Sequence, residues 1–345
     1  MAYTTIDKST DHFNTKLWTG TGSSNALTGV GFQPGWTWIK QRNGTENHNL
    51  FDAVRGVTKR ISSNRNNAED TQAQQLTAFG SDGFTVGTDN GANQNSQTYV
   101  AWNWKAGTTS GLSGGSLTPS AYSINATAGF GIYKYTGTGY NATIAHGLGK
   151  VPRMIMIKKL DGTTEWQIYH AVMGNTKFIE LTGTAAQQRG TTSIQWQNTT
   201  PTSTLFYLGT EGDVNASGST FIAYVFCDVP GFCKIGNYHG NGQNDGSFIY
   251  TGFKPKFIII KSDTRTSSWD ISDFERIGYN PKNYRLTPHN TAAAYTGQEI
   301  YKDYLSNGFK IRASDTDTNE DGRNYFYMAF GQSLVGSNNV PCTAR

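Results

Sequence analysis

Among the residue runs that could do chemistry, the most suggestive is Asp315-Thr316-Asp317-Thr318-Asn319-Glu320-Asp321-Gly322. Oxygen-bearing side chains alternate there as they do in calcium loops, which makes Asp315, Asp317, Asn319 and Asp321 the candidate ligands and calcium the one cofactor suggested. The run is not an EF-hand. Glu320 stands where glycine must make the sharp turn, and Phe326 stands where the bidentate glutamate belongs. The alternative reading is an acidic, solvated turn. A second chemistry is aromatic stacking on sugar rings. Trp18, Tyr135 and Tyr238 each precede a Gly-x-Gly turn, Gly20-Thr21-Gly22, Gly137-Thr138-Gly139 and Gly240-Asn241-Gly242, and they are the candidate recognition residues.

Catalysis has no motif to rest on. The chain lacks a Gly-x-Ser-x-Gly elbow, a His-Glu-x-x-His helix and a Walker loop, and its six histidines, His12, His48, His146, His170, His239 and His289, include no pair at ligand spacing. The sequence predicts a protein that is not an enzyme. Carboxylates meeting from distant strands, as glycosidases require, keep polysaccharide cleavage as an alternative.

The elements that position these residues are repeats. A proline stands six residues before a lysine in three places, Pro34 to Lys40, Pro152 to Lys158 and Pro255 to Lys261, with apolar or β-branched residues between them. Each reads as a buried strand entered through a rigid turn. The lysines would sit where the strand emerges, snorkelling to solvent and discouraging edge pairing. Downstream, His48, Trp166 and Trp269 recur with Leu50, Ile168 and Ile271 two residues on. That period of two marks a core face rather than an exposed platform. Each copy closes on a strand, Thr98 to Trp104, Thr220 to Phe226 and Asn324 to Phe330, preceded by a turn carrying Asn93, Asn215 or Asn319.

The expected fold is therefore all-β, three tandem antiparallel β-sandwich repeats of jelly-roll or lectin-like type, over residues 1–106, 121–230 and 231–345, with 107–120 as linker. Each copy should hold six to eight short strands. Thr71 to Leu76 could add a helical turn. The Gly/Ser/Thr-rich linker predicts a flexible tether with a reach of roughly 20 Å. Copies two and three, joined only by Asp228-Val229-Pro230-Gly231, should move as one body while copy one is hinged.

Composition supports a turn-rich β-protein, with 13% aromatic residues and 16% charged ones. A net charge of +4 without a Lys/Arg block argues against a nucleic-acid partner. No apolar run is long enough to span a bilayer, so no membrane insertion is expected, and the Met1-Ala2-Tyr3-Thr4 start shows no secretory leader. Cys227, Cys233 and Cys342 are expected to be free thiols.

The runs Ala128-Gly129-Phe130 to Gly139, Ala145-His146-Gly147-Leu148-Gly149, Val151 to Ile155, Gly236 to Gly242, Tyr250-Thr251-Gly252-Phe253 and Leu305 to Lys310 resemble a repeat family of tail and fibre proteins from marine bacteriophages. The first-copy segments Met1 to Lys16, His48 to Gly56 and Tyr99 to Lys105 are similar to the same family. The resemblance implies a virion structural protein, assembled in the host cytoplasm, acting as a tail fibre or host-facing appendage. It implies other virion proteins as partners, a host-surface glycan or protein as a further one, and a homo-oligomer such as a trimer. It carries no catalytic residues. A capsid or tail decoration with a purely architectural role is the alternative it leaves.

Overall fold

The computed structural model describes residues 4–189 and 195–336. The fold is all-β. Each repeat pairs a principal antiparallel sheet with a small one, and the principal sheets share one strand order. In repeat one the opening strand Phe13–Thr19 borders the closing strand Thr98–Trp104, which borders the proline–lysine strand Trp36–Gln41 and then Asn49–Asp52. Repeat two follows with Phe130–Thr136, Thr220–Cys227, Pro152–Lys159 and Gln167–His170, and repeat three with Cys233–His239, Asn324–Gln332, Lys254–Ser262 and Asp270–Asp273. The register shifts just after Pro152 and Pro255, where the missing N–H makes a bulge the natural accommodation. Thr71 to Leu76 forms no helix. It runs from the short strand Asp70–Thr71 through a turn into the strand Leu76–Gly80.

The principal sheets are buried on both faces. Within the proline–lysine strands, Ile39, Ile155 and Ile157, and Ile258 and Ile260 point into the sandwich core of their own repeat. Their alternating neighbours Trp36 and Trp38, Met154 and Met156, and Phe257 and Ile259 enter one core shared by all three repeats. Trp104, Phe226 and Phe330, which hold the same place in the three closing strands, meet one another at ring separations of 6.5, 5.7 and 6.1 Å. They mark a pseudo-threefold axis.

This corrects the hinge expected for copy one. Trp36 stacks on Tyr224 of repeat two at 4.5 Å, and Phe13 stacks on Phe330 of repeat three at 5.2 Å. The ring is closed covalently at two joints and by contact at the third: the Ser9 amide donates to Gln332 Oε1, and Gln332 Nε2 donates to the Asp7 carbonyl. The expected tether is also docked. Gly115 bridges Ile144, the Leu117 amide donates to the Thr143 carbonyl, and Leu117 is buried in the core of repeat two. A Gly/Ser/Thr chain is slim enough to pair with the outer edge of the strand Ala142–Ala145.

Candidate functional site

The sequence places recognition on Trp18, Tyr135 and Tyr238, but the structure buries all three. Each faces its partner across the opening and closing strands, Trp18 on Tyr99, Tyr135 on Phe221 and Tyr238 on Tyr325, stacked at 5.2 to 5.3 Å. Their polar atoms are spent on backbone: Trp18 Nε1 donates to the Ala92 carbonyl, Tyr135 Oη to Val214 and Tyr238 Oη to Thr318. The Gly-x-Gly turns beside them are fixed rather than flexible. The buried amides of Asn93, Asn215 and Asn319 accept from the turn amides of Thr21, Thr138 and Asn241. These aromatics are pins of the sandwich, not platforms.

The proposed calcium ligands also have other partners. Asp315 Oδ2 lies 3.0 Å and Asp317 Oδ2 3.3 Å from Arg285 Nη1, so a guanidinium stands where a cation was expected. Asp315 Oδ1 caps the single helical turn Thr316–Asn319 through the Asp317 amide, and Asn319 gives its amide to the carbonyls of Gln243 and Ala313. Asp321 is exposed. Among the described residues no group of three or more His, Cys, Asp or Glu side chains is placed to hold a metal ion.

The lysines do not snorkel. Lys40, Lys158 and Lys261 are wholly buried, and each ammonium crosses to a neighbouring repeat. Lys40 Nζ donates to the Thr291 carbonyl of repeat three, Lys158 Nζ to Asn66 of repeat one, and Lys261 Nζ to Thr184 of repeat two, at 3.0 to 3.1 Å. The acceptors are equivalent positions, so the contact runs cyclically around the axis. Backbone amides return the contact, Glu69 to Leu160, Gln187 to Asp263 and Ala294 to Arg42. Burial lowers all three lysine pKa values to about 8. Trp166 and Trp269 are core, as expected, and their Nε1 atoms donate across the same junctions to Ser62 and Glu180.

Other buried polar groups lie at the junctions too. Tyr224 Oη donates to Asp52 Oδ2 at 2.6 Å, and Asp52 is held by Arg55 within its own repeat. One junction on, Trp102 Nε1 donates to Asp273 Oδ2 at 3.1 Å, and Asp273 is held by Arg276. At the third junction the same places hold Met328, His170 and Met173, and His170 packs on Phe326 with ring centroids 4.4 Å apart. Burial depresses the His170 pKa to about 3 and lowers that of His48 well below the usual imidazole range. Perturbed ionisation commonly marks catalytic clefts. Here it comes from burial between packed sheets. A cleft beside Arg60, Arg65 and Asp70 holds only about 10 Å³, far below the roughly 300–1,000 Å³ usual for small-molecule sites.

Cys227 and Cys233 are free and buried, Cys227 donating to the Lys150 carbonyl, and burial raises the Cys227 thiol to about 12. Cys342 lies outside the described residues. No helix among the described residues is long and apolar enough to cross a membrane.

What remains available for contact is a set of exposed aromatics that the repeat pattern does not reveal. In the small sheet of repeat three, Ile249 points inward while Phe248 and Tyr250 point out, 46% and 61% exposed. Gly308 on the adjacent strand has no side chain to cover them. The Phe248 ring lies where a Cβ at Gly308 would stand, 2.9 Å from it. Lys310 sits beside them and pairs with Asp245 at 3.0 Å. Tyr140, 78% exposed, stands at the tip of the Gly-x-Gly turn in repeat two, where the other copies carry Ser23 and Gln243. The period-two pattern of Phe248-Ile249-Tyr250 was the available signal, but three apolar residues in a row do not tell which face is out.

No curated protein and no solved structure matches the chain. One family model does, covering residues 8–333, nearly the whole length, and the chain therefore belongs to the domain-of-unknown-function family DUF7483.

Proposed function

We propose that this chain is a non-enzymatic virion structural protein, a fibre or host-facing appendage subunit that attaches through repeated weak contacts. The observation that carries the reading is a division of labour. The three copies repeat their core and their buried-lysine crossings, whereas the exposed aromatics Tyr140, Phe248 and Tyr250 occur in one copy each. An aromatic ring next to a charged pair suits a glycan or a peptide, because the ring supplies area and the Lys310–Asp245 pair supplies directional polar groups. The resemblance to phage tail and fibre repeats agrees with this, and the internal threefold suits a subunit that joins other virion proteins of threefold symmetry. Weak sites displayed on a rigid body add through effective concentration.

The test is competition. Purified protein should block adsorption of whole virions to host cells, and Tyr250→Ala should weaken the block without lowering the melting temperature. Antibody labelling that finds the protein on the capsid, together with failure to compete, would support the architectural decoration instead. Release of reducing sugar from host polysaccharide would support the enzyme.

A further inference from the structure

We propose that Lys302 and Asp270 condense into an intramolecular isopeptide bond that staples the two sheets of the third repeat. Lys302 belongs to the small-sheet strand Lys302–Leu305, and Asp270 to the principal-sheet strand Asp270–Asp273. Their side chains are 2% and 0% exposed, and Lys302 Nζ lies 2.8 Å from Asp270 Oδ2. The other carboxyl oxygen, Oδ1, is buried with no hydrogen-bond partner. An unpaired oxygen on a buried carboxylate is costly, and condensation removes the negative charge that this oxygen shares.

The step needs no cofactor. A proton passed along the 2.8 Å hydrogen bond converts ammonium and carboxylate into amine and acid. The Nζ lone pair attacks Cγ, a C–N bond forms, a C–O bond breaks, and the hydroxyl leaves with a nitrogen proton as water. No atom is oxidised or reduced.

Repeat one shows that the fold does not require this pair. Leu76, opposite Val86, holds the place that Lys302 holds opposite Ile311, and Asn49, opposite Ile39, holds that of Asp270 opposite Ile260. A buried ion pair is on average no better than such an apolar or amide set. What the pair adds is a covalent tie between sheets.

Intact mass spectrometry of the denatured full-length protein tests this. The expected mass is one water below that of the sequence, after allowance for the initiator methionine, and a tryptic digest should yield a branched peptide joining Asp270 to Lys302. The double variant Lys302→Leu, Asp270→Asn carries the residues of repeat one and so keeps the fold, checked by circular dichroism, and it should show the full mass. A parent protein that stays at full mass after prolonged incubation, or a deficit that persists in the double variant, overturns the proposal.

Discussion

The Tyr224 hydroxyl of the second repeat donates to Asp52 Oδ2 of the first across 2.6 Å, inside an interface that buries both residues completely. Asp52 is simultaneously ion-paired to Arg55, whose Nη2 also bonds the Leu50 carbonyl. Asp273, Arg276 and Trp102 repeat the set at the junction of repeats three and one. At the remaining junction the acid, the base and the donor are all replaced together, by His170, Met173 and Met328. The three positions behave as one unit because removing the acid or the base weakens a buried ion pair, and removing the donor leaves a buried carboxylate oxygen short of a hydrogen bond.

Asp52→Ala should therefore destabilise the protein by up to about 3–5 kcal/mol, since the buried Arg55 is left with only Glu69, 3.2 Å from its Nη1, as an ionic partner. Tyr224→Phe removes one hydrogen bond to a charged group and should cost about 1.5–3 kcal/mol. The triple change Asp52→His, Arg55→Met, Tyr224→Met, copying the third junction, should cost less than Asp52→Ala alone. Urea midpoints of the three variants check this, and equal or greater loss in the triple variant would refute the unit.

One shared core implies one unfolding event. Calorimetry should give a single transition whose van't Hoff and calorimetric enthalpies agree, rather than a separate melt for copy one. Trp104→Ala, at the axis, should lower the stability of all three repeats together by about 3–5 kcal/mol. An early melt confined to repeat one would revive the hinge.

The pH dependence follows from the buried imidazoles. His170 titrates near 6.5 when unfolded and near 3 in the fold, so between those values the unfolded chain holds the extra proton. Stability is full above pH 6.5 and falls as the pH drops toward 3, by up to about 1.4 kcal/mol per unit for one such group. His48 adds to the same direction. Replacing His170 with Gln should flatten the slope of stability between pH 6.5 and pH 4. A slope unchanged by that substitution would assign the acid sensitivity elsewhere.

Much of the fold was legible because it is written three times. The proline–lysine strands and the closing strands follow from spacing alone. The relation between copies was not legible. Trp36 and Trp38 read as core, but a period of two cannot say whether the facing layer belongs to the same repeat or another. Lys40 read as a snorkelling residue because its acceptor, the Thr291 carbonyl, lies in a different copy. Residues 107–120 read as a tether because Gly and Ser carry no side-chain signal for pairing with Thr143. The exposed Tyr140 and Tyr250 were hidden by the opposite problem. They differ between copies, and a repeat search rewards what recurs.

That contrast separates structural from recognition aromatics by experiment. Tyr135 is buried and its hydroxyl serves the Val214 carbonyl at 2.6 Å, so Tyr135→Ala should cost about 3–5 kcal/mol, and virion competition should fall only as far as folded protein is lost. Tyr140 and Tyr250 are 78% and 61% exposed, and exposed substitutions away from special features usually change stability by less than about 0.5 kcal/mol. Tyr140→Ala and Tyr250→Ala should leave the melting temperature in place while reducing competition with virions, and the double variant should reduce it more than either alone because multivalent contacts multiply. Adsorption assays run beside thermal melts on the same preparations make the comparison. If both exposed variants compete as well as the parent, the aromatic surface is not the contact, and the attachment reading loses the observation that carries it.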